Sequence, residues 1–252
     1  MSRFISFLST MLAVMLAAMP VQAAEVSVAV ASNFTVALDQ IISKFELASG
    51  HHVLVSSGST GKLYAQINHG APFDVFLSAD SERPQRMELE KLAVNGSRFT
   101  YAAGRLVLWS PKAGMVDAGG QVLRQGTFQH LAIANPKTAP YGAAARDVLE
   151  NLDLLKALQT RLVQGEDIGQ TFQFVASGNA ELGFVSLAQV KAAAPNYQGS
   201  YWLVPQTLHR PILQQAVLLE KGRNNLAARD FLVFLKGSAA RAIIEHNGYT
   251  VP

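Results

Sequence analysis

The chain has 252 residues, 49% of them hydrophobic and 15% charged, with 19 Gly, 10 Pro and no Cys. This is globular composition, too apolar for intrinsic disorder and, beyond the first segment, too charged for a multispanning membrane protein. The formal charge of +3 gathers into no basic run, which argues against a nucleic-acid partner, and the missing cysteines exclude a disulfide framework and an acylated lipoprotein start.

Residues 1–23 read as a signal peptide. Arg3 is the only charged side chain before Glu25, an almost continuous apolar run covers 4–19, and small residues with a cleavage pattern follow at Val21-Gln22-Ala23-Ala24. The run is shorter than the roughly 20 residues a spanning helix needs. A soluble mature chain in the bacterial periplasm is the expectation.

Short β-rich runs follow at 26–32, His52–Gly58, 74–80, Leu106–Ser110, Leu131–Ala134 and Leu182–Ser186, with helical patterns between them. The clearest helix places Phe34, Ala37, Leu38, Ile41, Ile42 and Phe45 on one face, and Gly50 stands where a left-handed cap belongs. Strands alternating with helices at this spacing predict an α/β fold with mainly parallel sheets. Two long β-rich stretches, 99–110 and 211–220, are each able to run from one sheet to another. They divide the chain into lobe I, residues 24–104 with 214–252, and lobe II, residues 105–213. A single doubly wound domain is the other arrangement these residues allow.

Four expected helix starts carry polar side chains. They are Ser32-Asn33, the loop from Ser56 through Ser59, Thr60 and Gly61 to Lys62, the segment from Asn135 through Thr138 and Pro140 to Tyr141 and Gly142, and Glu166-Asp167-Ile168-Gly169. Ser32 or Asn33 is a candidate cap for the first helix and Asp167 for the last. Helix starts leave backbone N–H groups unpaired and carry a partial positive charge, so several of them gathered at strand ends make an anion site. Each has a plainer reading as well: caps that only cap, Lys62 as a solvated charge, Tyr141 as a packed ring, Asp80 as a loop brace.

Sharper motifs fail. The run Gly58 to Lys62 lacks the first glycine of a P-loop, since position 56 is Ser, and Leu63 stands where Ser or Thr would hold magnesium. No G-x-S-x-G elbow occurs, and the six histidines show no metal-ligand spacing. Catalytic residues, a metal site and a cofactor are therefore not expected, and the chain reads as a non-enzyme.

Five longer words carry a resemblance: VASNF at 30–34, SSGSTGKLYAQI at 56–67, GAPFDVFLSAD at 70–80, NPKTAPYG at 135–142 and SGNAELGFVSLAQV at 177–190. With these the chain resembles the periplasmic molybdate-binding proteins of ABC transporters, over essentially its whole mature length. The resemblance implies a two-lobed type II periplasmic binding protein, each lobe a sheet flanked by helices, joined by two crossing strands. It implies molybdate or tungstate held as an oxyanion by Asn33, Thr60, Tyr141 and the backbone of Ile168, with Ser32 and Ser59 beside them. It also implies a monomer that delivers its ligand to a membrane permease. Many relatives carry tyrosine where this chain has Ser186, so position 186 is a departure. The alternatives are a binding protein for another tetrahedral oxyanion such as sulfate, or an exported enzyme acting on a small anion.

Overall fold

The structure is a computed structural model that describes residues 23–194 and 196–251. The expected signal peptide, apart from Ala23, lies outside the described residues.

The strands are β1 (Glu25–Ala31), β2 (His52–Gly58), β3 (Val75–Ser78), β4 (Phe99–Gly104), β5 (Leu106–Ser110), β6 (Leu131–Ala134), β7 (Leu162–Gly165), β8 (Leu182–Ser186), β9 (Ser200–Leu203) and β10 (Ile212–Leu218). The helices are α1 (Thr35–Ser49), α2 (Thr60–Asn68), α3 (Glu82–Leu89), α4 (Val122–Gln125), α5 (Pro140–Asn151), α6 (Leu155–Leu158), α7 (Ile168–Ala176), α8 (Leu187–Ala193), α9 (Leu226–Lys236) and α10 (Ser238–His246). They build two sheets, ordered β2-β1-β3-β10-β4 and β7-β6-β8-β5-β9. In each sheet one strand, β10 or β5, runs against the other four. Two separate sheets exclude the single doubly wound domain.

Each sheet is covered by hydrophobic core on both faces. α1 shows how the sequence produces this. Its apolar residues recur at helical spacing, and Ala37, Leu38, Ile41 and Phe45 are all buried against the first sheet and its neighbouring helices. Phe45 meets the rings of Phe231 and Phe234 edge-on at 5.4 and 5.6 Å, a burial worth roughly 1.5–3 kcal/mol for a ring of this size. Gly50 ends the helix at φ +73°, a conformation that suits glycine, and its N–H returns to the Glu46 carbonyl.

The chain passes between the sheets twice. At the first crossing β4 and β5 are separated only by Arg105. The second differs from expectation. The stretch 211–220 does not itself span two sheets, because β10 pairs only within the first sheet, with β3 and β4. The crossing is made by the segment between β9 and β10, which stays close to the first one through Val204 N–H donating to the Leu106 carbonyl. Both crossings therefore lie side by side. The carboxyl ends of β1 and β2 in one sheet and of β6 and β7 in the other lead directly into the four polar loops.

Candidate functional site

The four loops meet. One small cavity, about 10 Å³ in volume, is lined by Ala31, Ser32, Asn33, Gly58, Ser59, Thr60, Ala79, Ala139, Pro140, Tyr141, Asp167 and Ile168. All six residues expected at a ligand site, Ser32, Asn33, Ser59, Thr60, Tyr141 and Ile168, are in that set.

Their hydroxyl groups share one property. The Ser32 hydroxyl accepts from Gly169 N–H at 3.3 Å, Thr60 from Ala79 N–H at 3.1 Å, and the Tyr141 phenol from Gln214 Nε2 at 3.3 Å. Ser59 Oγ is buried with no partner. Among the described residues none of the four finds an acceptor for its own proton. A buried hydroxyl left in that state costs about 1–3 kcal/mol, so the arrangement has four O–H donors waiting for one acceptor-rich guest.

The helix starts add backbone donors. The turn Ser32–Phe34, α2 and α5 all begin without a side-chain cap, and Pro140 opens α5. α7 is capped as expected, by Asp167 Oδ1, which accepts from Gly169 and Gln170 but leaves the Ile168 N–H, the first of that helix. The expectation that Ser32 or Asn33 caps α1 is not met. That helix begins at Thr35, and a 3-10 turn precedes it.

Asn33 is used differently. Its Nδ2 donates to Gln214 Oε1 at 3.0 Å and to the Tyr249 hydroxyl at 3.2 Å, while Tyr249 O–H donates to the Asn33 backbone carbonyl at 2.5 Å. Tyr101 O–H joins the same Gln214 Oε1 at 3.0 Å. Burial, as the first cause, raises all three phenols, Tyr101, Tyr141 and Tyr249, above the ordinary tyrosine range. They stay neutral, and so remain donors, throughout the physiological range. Gln214, Tyr101 and Tyr249 were missed by residue-level reading. The available signal was the Gln214-Gln215 pair inside an otherwise apolar strand.

No Lys or Arg lines the cavity, and Asp167, already engaged in capping, is its only ionisable residue besides the Tyr141 phenol. Lys62, outside the cavity lining, pairs with Glu166, each about half exposed. Asp80 braces its loop by accepting from Arg83 N–H and pairing with the Arg83 guanidinium. Ser186 caps α8 in a reciprocal box with Gln189, whose Nε2 donates to the Ile168 carbonyl at 2.9 Å. Ser186 is thus spent on the Gln189 side chain that reaches the α7 start, and it is not among the residues lining the cavity. Among the described residues no group of three His, Asp or Glu is placed to hold a metal ion, and no helix is long and apolar enough to cross a membrane.

Two sheets enclosing a polar cavity beside a pair of crossings define a two-lobed solute-binding protein. The chain belongs to the family of bacterial extracellular solute-binding proteins, whose family model matches residues 26–250. It is 53% identical over 249 residues to the molybdate-binding protein ModA of Azotobacter vinelandii, covering 99% of each chain. It is 47% identical over 232 residues to ModA of Rhodobacter capsulatus, covering 92% of this chain and 90% of that one. Among solved structures it superposes on the Azotobacter vinelandii periplasmic molybdate-binding protein with a TM-score of 0.87 and 45% identity, covering 90% of this chain and 99% of the other. A sulfate-binding protein of Mycobacterium tuberculosis shares the fold, with a TM-score of 0.73 at 13% identity over 90% and 87% of the two chains.

Proposed function

We propose that this protein captures molybdate, and tungstate with it, between its lobes in the bacterial periplasm and hands it to an ABC permease. The single observation that carries this reading is the set of four cavity-lining hydroxyls, Ser32, Ser59, Thr60 and Tyr141, whose protons find no acceptor among the described residues. The relatives named above, at about half identity over nearly full length, support molybdate as the guest.

Molybdate is a tetrahedral dianion that near neutral pH only accepts hydrogen bonds. Stripping its water is costly unless each oxygen finds new donors. The four hydroxyls, the Ile168 N–H and the N–H groups opening the other helices supply them without a buried counter-charge. Asn33 contributes the N–H at the start of its turn. Hydrogen phosphate also carries a proton to donate, and a wall made mainly of hydroxyl and backbone N–H donors serves that proton less well than it serves the oxygens of molybdate. Sulfate has the same charge pattern and shorter bonds, so cavity size is the discriminator against it.

The division into lobe I, residues 24–104 with 214–252, and lobe II, residues 105–213, forms part of this reading, with 1–23 removed on export and the mature chain acting as a monomer. Ligand bridging the lobes favours the closed state, which the permease recognises. Molybdate added to the purified mature chain is expected to raise its melting temperature with increasing concentration. No shift at millimolar molybdate, with measurable turnover of some small anion, would favour an exported enzyme.

A further inference from the structure

We infer that Gln214, on the strand that follows the second crossing, is a positioning residue that turns the Tyr141 phenol proton toward the ligand. The inference rests on the oxyanion reading above and adds the residue that prepares one of its donors.

The argument is one of proton direction. Tyr249 has one proton, and at 2.5 Å it is committed to the Asn33 backbone carbonyl. The Tyr249 oxygen is then an acceptor, so the group facing it at 3.2 Å must be the Asn33 NH2, which fixes the orientation of the Asn33 amide. The second hydrogen of that NH2 points at Gln214, so Gln214 presents its Oε1 there, at 3.0 Å. Tyr101 O–H shares its proton between the same Oε1 at 3.0 Å and the Ser78 carbonyl at 3.3 Å, so it adds to the hold on Oε1, while the Asn33 NH2 is what sets the direction of the Gln214 amide. Gln214 Nε2 is thereby forced toward the Tyr141 oxygen, at 3.3 Å, and the phenol is held as an acceptor on that side. Its own proton has to point elsewhere, and Tyr141 lines the cavity.

The backbone makes room for this arrangement. Gly104 ends β4 at the first crossing, and a Cβ at that position would sit 2.1 Å from the Tyr141 hydroxyl and 2.8 Å from Gln214 Nε2. Gln214 is fully buried and lies opposite Ala102 on the paired strand, at a register shift between Gln214 and Gln215. Tyr141, from the second sheet's side, is thus locked at the crossing by a residue of the first.

The test is a double-mutant cycle on molybdate affinity, read by titration calorimetry on the purified mature chain. Tyr141→Phe is expected to weaken binding roughly 10- to 100-fold, the loss of one hydrogen bond to a charged guest. Gln214→Met is expected to cost about tenfold, and the double variant to bind within about threefold of Tyr141→Phe alone, because Gln214 acts through the phenol. Gln214→Glu keeps the shape but offers an oxygen that captures the phenol proton, and is expected to bind worse than Gln214→Met. Losses that multiply in the double variant, or a Gln214→Met protein that binds like the wild type, would overturn the inference. Melting of the ligand-free variants reports whether each has folded. If Gln214→Met does not, Gln214→Glu decides, and a loss under about threefold overturns the proposal. A wild-type chain that ignores molybdate overturns the functional reading itself, an outcome distinct from these.

Discussion

Gly61 and Thr138 join the two sides of the cleft: the Gly61 N–H donates to the Thr138 carbonyl at 2.8 Å, and a Cβ on residue 61 would lie 2.9 Å from Thr138 Cα. The glycine lies inside the first turn of α2, where alanine is the better helix former, so Gly61→Ala adds no local strain to α2. It does obstruct the approach of the two loops. Gly61→Ala is expected to fold normally, to weaken molybdate binding at least about tenfold, and to shift solution scattering toward a more open shape in the presence of ligand. Unchanged affinity would mean that the contact is not part of closure.

Ser59 separates ligand binding from folding. Its hydroxyl caps nothing, although it holds the N-cap position of α2, so removing it takes no hydrogen bond from the protein. Ser59→Ala removes a buried hydroxyl that has no partner in the ligand-free chain, so ligand-free stability is expected to be no lower than wild type and higher by up to about 1–3 kcal/mol. The complex should lose about 1–3 kcal/mol, as it should for Thr60→Ala. Thermal melts with and without molybdate give both quantities from one preparation.

Lys62 and Glu166 form an ion pair between α2 and the loop before α7, and both side chains are 54% exposed. A pair this solvated contributes at most about 1 kcal/mol, and salt screens it. Lys62→Met is therefore expected to weaken molybdate binding less than about fivefold. A loss of 100-fold or more would show that the cation, and not neutral donors, holds the guest.

The phenols of Tyr101, Tyr141 and Tyr249 are raised by burial. A group whose folded-state pKa lies above its unfolded value stabilises the fold fully below the unfolded value and loses that contribution as pH climbs toward the folded one. The unfolded value is about 10. Stability attributable to these tyrosines is expected to be flat from pH 7 to 9 and to fall above about 10. Denaturant melts across that range check it, and a decline beginning near pH 8 would contradict neutral, proton-bearing phenols.

Much of this fold was legible in the chain. The helical spacing of Phe34 to Phe45 and the cap at Gly50 predict α1, and six of the strands stand out as short apolar runs between helices. β7 and β9 escaped because four residues such as Leu162–Gly165 carry too little pattern to separate them from a loop. The loops of the site were readable as polar helix starts, since strand ends in α/β sheets collect them. What each side chain does there was not. Asn33 looked like a cap because Asn caps helices, but its amide is drawn away by Gln214 and Tyr249, residues 181 and 216 positions distant. Long-range partners of that kind leave no trace in local pattern, and a single Gln in an apolar strand hints only that something polar lies opposite.

The most direct measurement is calorimetric titration of the mature chain with molybdate, tungstate, sulfate and phosphate under one set of conditions. Neutral donors closing on a larger tetrahedral dianion give tight binding of molybdate and tungstate, weak binding of sulfate and none of phosphate. Tight sulfate or phosphate binding with no response to molybdate would contradict the account.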